Sequence, residues 1–168
     1  MMQQDLGRIK NDVLALFMND ENIVDALLGP IDSDTDIEYE LTQNESACGH
    51  MHKFEYVPDI NENADSFLNV ETAIARTPGT DTTYNVYLYV FVFCHKSMME
   101  NYTRNGMAGT RTDILAADVG RVLNGNRDIG IGPVEFLTDN IYKPATNYYG
   151  RCITYSIQAF NRDRKGIE

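Results

Sequence analysis

The chain has 168 residues, of which 43% are hydrophobic and 23% charged, and carries a formal net charge of -11. This is the composition of an ordinary globular protein, long enough for one domain with a real core, and the acidic balance argues against wrapping nucleic acid or docking on an anionic membrane, since both need a basic surface. No run of about 18 apolar residues is present, and Met1-Met-Gln-Gln-Asp5 lacks the basic and apolar parts of a signal peptide, so folding in the cytosol is the expectation.

In chain order, Leu6, Ile9, Val13, Leu16 and Phe17 fall at helical spacing, which predicts an amphipathic helix. Asn19 and Asp20 offer a fresh cap, Ile23, Val24, Leu27 and Leu28 a second short stripe, and Gly29-Pro30 a stop. The acidic stretch Ile31 to Asp36 is turn-rich. Ile37, Tyr39 and Leu41 then alternate with Glu38 and Glu40, a pattern that suits a strand at a sheet edge. The section Thr42 to His52 shows no period, Phe54 to Val57 reads as a short strand ending at Pro58, and a polar loop follows.

Phe67 to Arg76 alternates again and leads through Thr77-Pro-Gly-Thr-Asp-Thr82 into Tyr84 to His95, the longest apolar run in the chain. A hairpin is the economical pairing. Successive side chains of a strand point to opposite faces, so Val86, Leu88, Val90, Val92 and Cys94 make an aliphatic face and Tyr87, Tyr89, Phe91 and Phe93 an aromatic one. Both faces are apolar enough to predict a central strand covered on each side.

Met98 to Gly109, with three methionines, reads as a mobile loop. Thr110, with Asp113 three residues on and Asn124-Gly125 as the stop, is a capping-box helix signal. Leu115, Ala116, Val119, Val122 and Leu123 share one face of it, and Arg111, Asp118 and Arg121 are assigned away from that face. Ile129 to Thr138, which holds Gly130, Gly132 and Pro133, reads as a bulged or edge strand, Asn140 to Gly150 as a loop, and Arg151 to Phe160 as a last strand. The predicted class is α+β in one domain: a helical part over 1–29, an edge strand and irregular loops over 30–66, a mainly antiparallel sheet of about five strands with one helix over 67–161, and a charged tail over 162–168.

Candidate chemistry is sparse. Cys48-Gly-His-Met-His52 groups thiolate and imidazole ligand types, with Cys94-His95 as possible additions, but the spacing matches no paired-ligand pattern and a loop holding two histidines is the plainer reading. Three widely spaced cysteines, Cys48, Cys94 and Cys152, point to buried or free thiols rather than a disulfide framework. A nucleophile pair of Cys94 with His50 or His52 would need a polarised thiolate, whereas Cys94 falls on an aliphatic face. Gly130-Ile-Gly132 has no helix after it to make a phosphate loop, and Asp32, Asp34 and Asp36 lack the glycine and glutamate of a calcium loop. No catalytic residue and no cofactor is assigned. The aromatic residues Tyr87, Tyr89, Phe91 and Phe93, with Met98, Met99 and Met107 of the following loop, are candidate subunit-interface residues.

The run Gly109-Thr-Arg-Thr-Asp-Ile-Leu-Ala-Ala-Asp-Val-Gly-Arg-Val-Leu-Asn-Gly125, with Ile129-Gly-Ile-Gly-Pro-Val-Glu-Phe136 and Tyr149-Gly-Arg-Cys-Ile-Thr-Tyr-Ser-Ile157, resembles phage neck and tail proteins, most of all the tail terminator, or tail completion, proteins of long-tailed phages. The resemblance covers about half of the chain, roughly residues 83 to 161. It implies a non-enzymatic virion protein at the head-tail junction, assembled in the host cytoplasm as a hexameric ring with sheets around the lumen and helices outside. Such a ring would cap the tail tube, meet the head-side connector, and let DNA pass without specific binding. A head-completion or stopper protein and a tail-tube subunit are alternatives within the class. Rivals from other classes are a small metal-binding or thiol enzyme built on the Cys/His cluster and a binding module that uses the aromatic face.

Overall fold

The order of elements in the computed structural model, which describes residues 2–43, 49–58, 65–75 and 83–160, is three helices, three strands, a helix and two strands. Helix α1 runs Met2–Met18, α2 Glu21–Leu28 and α3 Ile37–Thr42; strands β1 Met51–His52, β2 Ser66–Ile74 and β3 Thr83–His95 follow, then α4 Arg111–Leu123, β4 Glu135–Ala145 and β5 Tyr148–Phe160. Among the described residues the strands form one sheet in the order β1-β2-β3-β5-β4. All neighbours are antiparallel except β1 with β2. The class is therefore α+β with a mostly antiparallel sheet.

The longest apolar run is the central strand. Val90 lies opposite Val70 on one side and Ile153 on the other, so β3 has ladder partners along both edges. Its aliphatic face is fully buried from Val86 to Cys94, and every helix packs there. Ile9, Val13 and Phe17 of α1, Ile23 and Leu27 of α2, Leu41 of α3 and Leu115, Val119 and Leu123 of α4 join Leu68, Val70, Val86, Leu88 and Val90 in one core. The other face has its own smaller cluster, Phe67, Phe91, Phe93 and Tyr148, and no helical residue belongs to it. The expectation of cover on both sides thus holds for one face and half of the other.

Several predicted elements change type. Ile37 to Leu41 is a helix, not an edge strand, because Asp36 caps it by accepting from the Tyr39 amide at 3.1 Å. Glu38 and Glu40 then sit in its first turn, where the helix dipole favours them. Ile37 and Leu41 are four apart, so the same residues that alternate in a strand share a face in a helix. Phe54 to Val57 is irregular, and the strand of that region is instead the two-residue β1. Residues 140–145, read as loop, are the second half of β4, which turns at 146–147 straight into β5. Residues 129–134, read as the start of an edge strand, precede it: Gly130 is pressed against β5 so closely that a Cβ there would lie 2.5 Å from the Gln158 carbonyl oxygen. The bulges expected in this edge strand occur near Leu137 and after Tyr142.

Arg111 and Asp118, assigned to the outer face of α4, are buried. They face α2 and the segment that precedes α4, whose polar groups receive them. That segment, read as mobile, is tied to the helices: the Tyr102 hydroxyl donates to Asp25 at 2.6 Å, Arg104 to Asp118 at 2.6 Å, and the Arg111 Nε to the Met98 carbonyl at 3.2 Å. The Thr77–Thr82 turn, Cys48 and the 162–168 tail lie outside the described residues.

Candidate functional site

His52 and the buried Cys94 lie on opposite faces of the sheet, and His50, just before β1, also borders a cleft with Leu27, Met98 and Arg111. In β1, Met51 points into the helical core and His52 to the aromatic side, opposite Asn69. His50 stacks on Phe67 of the same side at 5.9 Å between ring centres. Its Nδ1 donates to the Ser66 carbonyl at 2.7 Å. The His52 Nδ1 meets the Asn69 Oδ1 at 3.0 Å, and the Asn69 amide donates onward to the Tyr56 carbonyl at 2.6 Å. Burial pushes the His52 imidazole below its ordinary value, with the Asn69 hydrogen bond pulling the other way. These are satisfied aromatic-cluster histidines.

Cys94 lies on the opposite face, its Sγ 3.2 Å from the Met99 sulfur. Burial pushes its thiol up to about 12, against a smaller pull from Arg111. No thiolate-imidazole pair forms between Cys94 and His50 or His52, and His95 is occupied with Ser97 at 2.8 Å. Among the described residues no three His, Cys, Asp or Glu side chains converge to hold a metal ion; Cys48 is outside them. Asp36, the last of the acidic trio, is a helix cap.

The aromatic candidates divide. Phe91 and Phe93 are covered by their own chain: the Tyr142 ring of β4 lies 4.9 Å from Phe91 and 5.7 Å from Phe93, and Tyr148 lies 6.0 Å from Phe93. The Tyr142 hydroxyl is held by the Glu55 carboxylate, and burial with that contact raises its pKa. At the other end of the face Tyr87 is 37% exposed and Tyr89 half-buried, flanked by polar Thr154 and Ser156 across the β5 register. Met98, Met99 and Met107 are all half-buried. An open cleft of about 700 Å³, lined by Met18, Val24, Asp25, Ile31, Ile37 and Arg104, lies on the helical side.

One surface escapes the sequence reading. Strand β4 is exposed from Glu135 to Ile141, and three large apolar side chains lie on it: Phe136 at 51%, Leu137 at 42% and Ile141 at 69% exposure. Between the sheet and α4 it borders a shallow groove floored by Ala116, Ala117 and Gly120 and edged by Asp113, Asp139 and Arg151. Apolar residues standing in a run of Thr, Asp and Asn are the signal that could have marked it.

Fold and surface together define a two-layer α+β domain, roofed by helices on one side and left partly bare on the other. The chain belongs to the YomW family, whose profile matches residues 15–157, from the end of α1 to β5. The family name is that of a phage-derived gene, which makes this a phage-associated protein and goes no finer. No curated protein matches the chain.

Proposed function

We propose that the protein is a structural component of the phage neck, a tail terminator that assembles as a ring, caps the tail tube and offers its other side to the head-side connector. The observation that carries this reading is the one-sidedness of the sheet. All helices of the described residues pack on the aliphatic face, and the Tyr87 end of the opposite face stays open. A subunit built this way can turn its helices outward and its sheet toward a lumen, in a heterologous contact that closes a ring of copies. The net charge of -11 supports the passage of DNA without adhesion, because like charges repel.

The test is to add the purified chain to tail tubes that lack a terminator and to image them. Ring-shaped caps on the tube ends, with tube length no longer increasing, are the expected result. Tubes that stay uncapped and keep growing in excess protein would overturn the reading.

A further inference from the structure

We propose that β4 is a docking strand for β4 of a second copy, the two pairing antiparallel about Asn140 so that one sheet runs through both molecules. The two edges of the sheet are not alike. The β2 edge is blocked: β1 covers Leu68 and Asn69, and beyond it the Thr72 amide donates to the Glu71 carboxylate at 2.9 Å, while Lys10 pairs with that same carboxylate. Such devices keep strand edges from recruiting partners. Along β4 no strand among the described residues covers the outer edge, and its bulges, near Leu137 and after Tyr142, leave the stretch from Thr138 to Tyr142 regular, with exposed Phe136, Leu137 and Ile141 beside or within it. A long exposed edge with apolar side chains is a template for another strand.

The choice of a second copy rests on charge. Copies with a net charge of -11 repel one another, so they can meet only where that charge is locally cancelled. Around β4 most of it is: Glu135, Asp139 and Asp113 are set against Lys143 and Arg151, an excess of one negative charge, and Arg151 holds both Asp139 at 2.9 Å and Asp113 at 3.2 Å.

Charge also selects the register. Centring on Asp139 would set two carboxylates directly opposite, which is unfavourable. Centring on Asn140 sets two neutral amides there, Thr138 opposite Tyr142 and Asp139 opposite Ile141. The stretch from Thr138 to Tyr142 is the regular, unbulged part of β4. In this register Ile141 of each copy lies diagonal to Ile141 of the other, and Lys143 lies diagonal to Asp139, both within reach of cross-strand interaction. This two-fold contact uses one patch twice and is separate from the two-patch contact of a ring.

The experiment is sedimentation of the full chain over a range of concentrations, with Ile141→Glu, which sets a carboxylate directly opposite Asp139 of the other copy, and Asn140→Asp variants beside it. The natural chain is expected to sediment as a dimer. Each variant is expected to weaken association by about tenfold or more, since it places like charges at the seam, while keeping the same circular dichroism and melting temperature. Amide exchange in β4 should slow with concentration in the natural chain and not in the variants. A natural chain that stays monomeric at every concentration, or a dimer that survives both variants, overturns the proposal. Tube capping by the Ile141→Glu protein separates this proposal from the ring reading: a variant that sediments as a monomer and still caps has lost the β4 dimer and kept the ring function.

Discussion

Arg104 reaches from the segment before α4 to Asp118 within it, Nη1 to Oδ2 at 2.6 Å, and the Asp118 side chain is only 4% exposed. The same guanidinium donates to the Asn22 carbonyl at 2.8 Å and the Tyr102 hydroxyl at 2.7 Å, so one cation joins α2, α4 and the strap between β3 and α4. A buried pair of this kind adds little net stability compared with an apolar pair, but breaking it strands a charge. Arg104→Ala leaves the Asp118 carboxylate with Arg121 at 3.6 Å and is expected to cost about 3 kcal/mol. Chemical denaturation measures it; a loss below about 1 kcal/mol would show that the pair is solvated in solution.

Gly150 sits in β5 where a Cβ would lie 1.9 Å from the Val92 carbonyl oxygen and 2.6 Å from the Phe93 Cα. Both are backbone atoms of the central strand, so neither can swing away. Opposite Gly150 is Tyr142, whose ring covers Phe91 and Phe93. Gly150→Ala is expected to part β3 from β5 locally and to cost about 3 kcal/mol, read as a lower midpoint in a urea titration. Wild-type stability in this variant would refute the close approach.

At the start of α4 the capping box is complete: the Thr110 amide donates to Asp113 Oδ2 at 2.9 Å, and the Asp113 amide to Thr110 Oγ1 at 3.4 Å. Thr110→Ala should lower stability by about 1 kcal/mol, and Thr110→Ser by much less. Partial burial pushes the Asp113 carboxyl up, but the Thr110 amide and hydroxyl and the Arg151 guanidinium outweigh it and hold the carboxyl below its ordinary 3.8. With the folded value below the unfolded one, this contribution is complete above pH 3.8 and fades as pH falls through the folded value. Acid titration of the Thr110→Ala protein should show less of that loss than the natural chain.

Thiol labelling separates the structural reading of Cys94 from a catalytic one. A thiol pushed up to about 12 by burial is protonated at neutral pH and does not attack alkylating reagents. In the native protein Cys94 is therefore expected to stay unmodified by iodoacetamide, as found by mass spectrometry, and to react on unfolding. Rapid native labelling at Cys94 would revive a reactive thiol.

What the sequence discloses follows from how much of each element is buried. The two faces of β3 are legible in Val86 to Cys94 because a central strand has a strict period and partners on both sides, and the α4 cap is legible because Thr110 and Asp113 act within four residues. The Ile37 to Leu41 segment misleads because residues at spacing two include a pair at spacing four, and Asp36 decides between them. Strand β4 is hidden because nearly all its side chains face solvent and impose no alternation. The burial of Asp118 depends on Arg104, fourteen residues earlier, and no local pattern announces such a partner.

The His52 environment gives the protein a pH dependence of its own. Burial in the aromatic cluster lowers its imidazole pKa from 6.5, the Asn69 hydrogen bond opposes this, and neighbouring His50 lowers it further. The ring lies 4.3 Å from that of Tyr56, so protonation would put a cation in a half-closed apolar site. Because the folded value is below the unfolded one, the unfolded chain binds more protons just below pH 6.5, and the stability that neutral His52 contributes is complete above that pH and lost as pH falls toward the folded value. The unfolding free energy should thus fall as the pH drops below 6.5 toward the folded value, with a share from His52 of at most about 1.4 kcal/mol per pH unit. His52→Gln, which keeps a hydrogen bond to Asn69 and cannot titrate, should flatten that slope relative to the natural chain. Equal slopes in the two proteins would mean that His52 titrates as it does in water and that the cluster around it is open.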